Sequence, residues 1–177
     1  MRLFHRKKPS ETVRVSSEEE KRMHRCCFTG HRPEKLIRSE IEIKAALREE
    51  IKQAIQDGLT VFITGMARGV DLWAAEIVLD LRKRNQAIKL ICAIPHEGFE
   101  ARWSASWKQL YRYVLDNADL VRVITSGYHT GVYQIRNEWM VNHAARVIAV
   151  FNGEKSGTKN TIDYAVKVGV PVVRIEG

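Results

Sequence analysis

Short apolar runs alternate with amphipathic stretches along most of this chain. Residues 25–29, 60–64, 88–94, 120–124, 146–151 and 170–175 are continuous apolar runs bounded by Gly, Pro or polar residues, which predicts six strands. Between them, apolar positions recur every three or four residues. Ile41, Ala45, Leu47, Ile51 and Ile55 mark a helix over residues 40–57, stopped at Gly58. Val70, Trp73, Ala74, Ile77, Val78 and Leu81 mark a second over 70–83. Further helices are expected over 103–117, over 135–145 after a turn-rich loop at 125–133, and up to about residue 168. Strands and helices alternating so regularly imply crossover connections and a mostly parallel sheet covered on both faces, an α/β doubly wound class. Residues 1–23 fall outside this pattern and read as an extension to a single domain over 24–177. Ser17 and Glu20 have the spacing of a capping box, which predicts a short helix over 17–23.

Composition narrows the class. The 177 residues, 45% hydrophobic and 28% charged, suit one soluble globular domain. No apolar run approaches the ~20 residues a membrane helix needs. Arg6, Lys7 and Lys8 interrupt the start of the chain before any signal-peptide core, so the expected location is cytoplasmic. Cys26, Cys27 and Cys92 form no metal or redox spacing and lie in apolar runs, where cysteine acts as a small hydrophobe. The histidines are scattered, and no metal site is expected. Half of the formal charge of +8 falls in residues 1–25, which hold eight Lys and Arg against four Glu. Such a tail attracts nucleic acid only weakly.

In a parallel sheet, ligands bind outside the carboxyl ends of the strands. The loops there are chemically unusual. The loop after residue 151, Asn152-Gly153-Glu154-Lys155-Ser156-Gly157-Thr158, leads from a strand into a helix, where free N–H groups can hold an anion. Gly153 and Gly157 permit close approach, and Asn160 or Thr161 is expected to cap the helix. The same loop also reads as an ordinary turn. It is neither a Walker A loop nor the G-x-G-x-x-G fingerprint. The first strand leads into Gly30-His31-Arg32-Pro33, suited to an anionic group or to a plain turn with His31 packed inside. The second leads into Gly65-Met66-Ala67-Arg68-Gly69-Val70-Asp71. Asp71 either complements a helix dipole or accepts ribose hydroxyls, and Glu76 is a further candidate. Arg136, near a helix start, is a candidate for a phosphate or reads as a solvent-exposed arginine. Trp103 and Trp107, one helical turn apart, are expected to face one place, as core or as a stacking face for a base.

Together these loops resemble the YpsA-like branch of the SLOG superfamily, which also holds the LOG phosphoribohydrolases and the DprA/Smf DNA-processing proteins. The matching residues are Thr29-Gly30-His31-Arg32-Pro33; Gly65 to Asp71 with Trp73, Ala74, Ala75 and Glu76; Arg136-Asn137 with Met140-Val141; and Gly157-Thr158 with Tyr164-Ala165. The resemblance implies a Rossmann-like sheet and a pocket for a nucleotide or nucleotide-derived ligand, NAD-derived ones included, with no other cofactor. The LOG signature Pro-Gly-Gly-x-Gly-Thr-x-x-Glu keeps Gly157-Thr158 here, but Thr161 stands at its glutamate and no Pro-Gly-Gly precedes. A threonine supplies no carboxylate for glycosidic cleavage. The phosphate-holding half of that site is retained and the catalytic half lost. The expected function is therefore ligand binding as a sensor or regulatory module rather than catalysis, with room for a homo-oligomer. The alternatives are LOG-like N-glycosidic hydrolysis of a nucleoside phosphate, through Asp71, Glu76 or Glu138, and DprA-like nucleic-acid binding.

Overall fold

The computed structural model describes residues 17–177. The basic extension expected over 1–23 lies outside that range except for its end. There α1 (Glu18–Arg22) forms with the expected capping box between Ser17 and Glu20. The core then runs β1 (Arg25–Gly30), α2 (Glu40–Gln56), β2 (Val61–Thr64), α3 (Val70–Arg82), β3 (Lys89–Ile94), α4 (Ala105–Asp116), β4 (Leu120–Val123), α5 (Val132–Asn142), β5 (Arg146–Phe151), α6 (Gly157–Lys167) and β6 (Val172–Glu176). A 3-10 turn, Pro33–Lys35, follows β1.

The six strands pair in parallel, in the order β4-β3-β2-β1-β5-β6. The chain steps outward from β1 to β4, then returns to pair β5 with the other side of β1. This is the expected Rossmann-like sheet, and its strand order reverses between β1 and β5. The side-chain period of two divides each inner strand between two cores. Cys26 and Phe28 of β1, Phe62 of β2, Leu90 and Cys92 of β3 and Ile148 of β5 pack with Ile43, Leu47 and Ile51 of α2 and with α3. Cys27, Ile63, Ile91 and Ala149, their neighbours in sequence, pack with Met140 of α5 and Ile162 of α6. Burial pushes the Cys26 and Cys92 thiols up to about 12 and raises Cys27 well above the usual thiol range, so all three behave as small hydrophobes.

Three expectations are corrected. The helix expected from residue 103 starts at Ala105 with Ser104 as its N-cap, so Trp103 precedes it and does not share a helix face with Trp107. Trp107 packs instead near Trp73, with ring centroids 6.1 Å apart. The helix expected from residue 135 starts at Val132, because Gly131 takes the left-handed conformation that turns the chain into it and Val132 is buried. The sheet is not covered on both faces throughout: all of β4 is exposed, including Leu120 at 53% and Val121 at 42%. It is the sheet edge, and α5, the next helix, packs toward β1 and β3 instead.

Candidate functional site

Parallel pairing brings the carboxyl ends of all the strands to one edge of the sheet. There the loops after β1, β2 and β5 and the start of α5 enclose a cleft of about 410 Å³. It lies at the reversal of strand order, where such sheets bind ligands. Gly30, His31, Arg32, Asp71, Arg136, Asn137, Gly157 and Thr158 all line it.

Close packing dictates the first two loops. A Cβ on Gly30 would stand 2.5 Å from Val70 Cβ, so only glycine lets β1 end against the start of α3. Gly65 is wedged between Arg136 and Asp71, whose side chains flank it on α5 and α3. Arg136 donates from Nη1 to the Gly65 carbonyl and from Nε to Asn137 Oδ1 at 2.8 Å. Asp71, 6% exposed, accepts from the Ala67 N–H at 3.3 Å. Burial raises its carboxyl to about 6, against the opposing pull of Arg136 and the Ala67 N–H. Burial likewise lowers the Arg136 guanidinium, while Asp71 raises it. Met66, between these residues, is buried at a φ of +63°, an uncommon conformation for a residue with a side chain. Thr64 fixes it: its hydroxyl accepts from the Met66 N–H at 3.2 Å and donates to the Asp71 carbonyl at 2.9 Å.

The β5–α6 loop forms the opposite wall. Ser156, not Asn160 or Thr161, caps α6, accepting from the Lys159 N–H at 3.2 Å. The sequence places the cap too late, because Gly157 and Thr158 are themselves the first helical residues. Thr161 lies inside the helix and donates to the Gly157 carbonyl at 2.8 Å. Among the described residues, the N–H groups of Gly157 and Thr158 and the Thr158 hydroxyl have no hydrogen-bond partner. They sit at the positive end of the helix dipole.

Electrostatics and shape complete the site. Arg32, Lys35, Arg68, Arg136 and Lys155 line the cleft against a single carboxylate, Asp71. Arg68 is partly neutralised by Glu34 at 3.1 Å. The far wall is aromatic: Phe99 and Trp103 pack edge to face at 5.0 Å, with Tyr133 beside them in the lining. Among the described residues, no three His, Cys, Asp or Glu side chains group as a metal site. No described helix is long and apolar enough to cross a membrane.

Residues 26–168 match the YpsA family model, described as the YspA SLOG family. The chain belongs to this SLOG family. It is 35% identical over 138 residues to an uncharacterized SPbeta prophage-derived protein, YoqJ, of Bacillus subtilis strain 168, covering 68% of this chain and 81% of that protein. It is 30% identical over 127 residues to a UPF0398 protein of Bacillus thuringiensis strain Al Hakam, covering 71% of this chain and 69% of the relative. Among solved structures it shares its fold with DNA processing protein A (DprA) of Streptococcus pneumoniae, at a TM-score of 0.65 and 22% identity. That match covers 88% of this chain but about half, 51%, of the DprA chain. DprA of Helicobacter pylori, described for its single-stranded DNA binding mode, matches at a TM-score of 0.64 and 18% identity, over 90% of this chain and 68% of that one.

The other expected site residues of this SLOG chain lie outside the lining. Gly65 lies behind it, as the seat of Arg136. Gly153 shapes the β5–α6 loop at a φ of +91° without lining the cleft. Glu76 is separated from it: it turns outward on α3 and pairs with Lys44 of α2 at 3.3 Å, over a different groove. Glu138 is likewise absent from the lining and accepts from Gln134 at 2.9 Å. Sequence reasoning missed Lys35, Lys155, Phe99 and Tyr133. Lys155 adjoins the phosphate-loop candidates and was within reach of the same argument. Phe99 and Tyr133 carry no periodic signal.

Proposed function

We propose that this SLOG domain is a binding module for a nucleotide or nucleotide-derived ligand, its phosphate at the start of α6 and its base against Phe99, Trp103 and Tyr133. The observation that carries this reading is the pairing, within one cleft, of helix N-terminal donors that lack a protein partner among the described residues with an aromatic wall, under an excess of cations. Two or three charge-assisted hydrogen bonds at ~1.5–3 kcal/mol each barely offset an association cost of roughly 4–15 kcal/mol. Phosphate alone therefore binds weakly, and stacking of the base supplies the rest. In this reading Asp71, the one carboxylate in the lining, takes the ribose hydroxyls. Glycoside hydrolases of the common type use two carboxylates; the single one here, with the Thr161 hydroxyl committed to the Gly157 carbonyl, favours binding over cleavage.

Gly157→Asp tests the reading. A Cβ there meets nothing within 4 Å, and an acidic residue in the first turn complements the helix dipole by about 0.3–1 kcal/mol. The variant is expected to fold at least as stably while repelling phosphate, so that nucleotide binding in calorimetry falls by tenfold or more, about 1.4 kcal/mol. Equal affinity in variant and wild type would remove phosphate from this position.

Single-stranded nucleic acid is the second reading, supported by the DprA-like fold and the formal charge of +8. It predicts an affinity for single-stranded oligonucleotides that falls steeply with salt and is lost on competition with a mononucleotide. Binding untouched by a mononucleotide would assign the DNA affinity to another surface.

A further inference from the structure

The far wall of the cleft comes from two places: Tyr133 from α5, and Phe99 and Trp103 from the segment between β3 and α4. That segment is hydrogen-bonded to the fold only at its ends. At Pro95, just after β3, the carbonyl accepts from the Thr125 N–H at 3.1 Å and from the Thr125 hydroxyl at 2.9 Å. At Ser104, the N-cap of α4, the carbonyl accepts from the Lys108 N–H at 3.0 Å. Between these points the bonds stay inside the segment. The Ala101 N–H donates to the Gly98 carbonyl at 3.0 Å, the Trp103 N–H to the Glu100 carbonyl at 2.9 Å, and His96 Nδ1 to the Glu97 carbonyl at 2.9 Å. Among the described residues, no hydrogen bond joins residues 96–103 to another element.

Aromatic packing holds the segment down. Phe99 and Trp103 each meet Tyr111 of α4 edge to face at 5.7 Å. His96 meets Tyr128 at 5.6 Å and Tyr133 at 6.2 Å. The same packing shuts in two polar atoms, His96 Nε2 and Glu100 Oε2, neither of which has a partner. Because His96 Nδ1–H faces a carbonyl, Nε2 of the neutral ring carries a lone pair that nothing meets. Water satisfies both atoms once it reaches them, so they weigh against the closed arrangement. Ring contacts favour closure and unmet polar groups favour opening, which places the segment at the weakly held end of the fold.

We infer that residues 96–103 form a gate over the cleft, swinging between fixed points at Pro95 and Ser104 and latched through the Phe99–Tyr111 and His96–Tyr128 contacts. Opening withdraws two of the three rings of the far wall, while Arg32, Arg136 and the start of α6 belong to other loops and stay in place. The open form admits a molecule from the side of β3, and closure surrounds it. The gate goes beyond the binding reading above and holds for any occupant of the cleft.

Diethyl pyrocarbonate, which acylates an accessible imidazole nitrogen, tests this on the full chain under single-hit conditions, with the modified peptides followed by mass spectrometry. His96 Nε2 is enclosed in the closed form and reacts only on opening, while exposed His129 gives the unhindered rate. The expected His96 rate is at least about tenfold below that of His129 and nearly unchanged by urea below the unfolding transition, as local opening requires. Phe99→Leu loosens the aromatic packing and should speed His96 modification by about tenfold. Glu100→Met replaces an unmet carboxylate by an apolar side chain of similar length and should slow it by about fivefold. Should either variant not fold, the wild-type urea dependence decides alone. A His96 rate equal to that of His129, one that rises with urea as steeply as global unfolding, or one indifferent to either folded variant overturns the gate.

Discussion

At the scale of single residues, the cleft is held by polar groups that packing forces into unusual states. Thr64 is one: its hydroxyl stabilises Met66 in a left-handed conformation and ties the turn to Asp71. Thr64→Val keeps the shape and removes the acceptor, leaving the Met66 N–H unsatisfied. Denaturant unfolding should show a loss of about 1–3 kcal/mol with an unchanged slope. Asp71 is another. Its folded-state carboxyl lies at about 6, above the unfolded value of 3.8. The native state therefore binds more protons than the unfolded chain between these values, and stability falls as pH climbs through the window. The loss is on the order of 3 kcal/mol at neutral pH, and Asp71→Asn should flatten the slope measured between about pH 4 and 6. A carboxyl kept this costly in a cleft is expected of a functional group more than of a structural one.

At the scale of elements, the contacts that shape the site are steric as much as chemical. Gly30→Ala would drive its Cβ into the Cβ of Val70 itself, so Val70→Ala cannot relieve the clash. The single variant is expected to lose about 1–3 kcal/mol by overpacking, and the double variant to recover none of it in thermal unfolding. The helices were largely legible from their apolar spacing, but not always the face they bury. α2 buries Ile43, Leu47, Ile51 and Ala54, so of its expected stripe Leu47 and Ile51 are buried while Ile41 and Ala45 face solvent. Ser39 with Glu42 forms a capping box at its start. Boundaries set by the loops were less so. Trp103 fell outside α4 because Ser104 begins that helix, and α6 starts earlier than its polar residues suggest because Ser156 takes the cap. Arg136 was legible as a cleft residue, but not its bond to the Gly65 carbonyl, since nothing local to either residue encodes the other. Glu76, five residues beyond Asp71, lies on another face of α3 as its spacing predicts, and there Lys44 of α2 meets it.

At the scale of the whole molecule, alternation of apolar runs was enough to give a parallel sheet, and a parallel sheet alone gathers the strand-end loops on one side. The choice of neighbours was not legible, because the return of β5 to β1 is decided by packing between distant segments. The family relation fits that arrangement, and the cleft falls where the two halves of the sheet meet. The return has a consequence for how the protein is made. β1 is formed early but keeps one bare flank until residues 146–151 arrive to pair with it. β5 and the first turn of α6, synthesised after β1 to β4, therefore build half of the cleft. A small molecule that fits this seam bridges early and late parts of the polypeptide. Its presence should slow their separation.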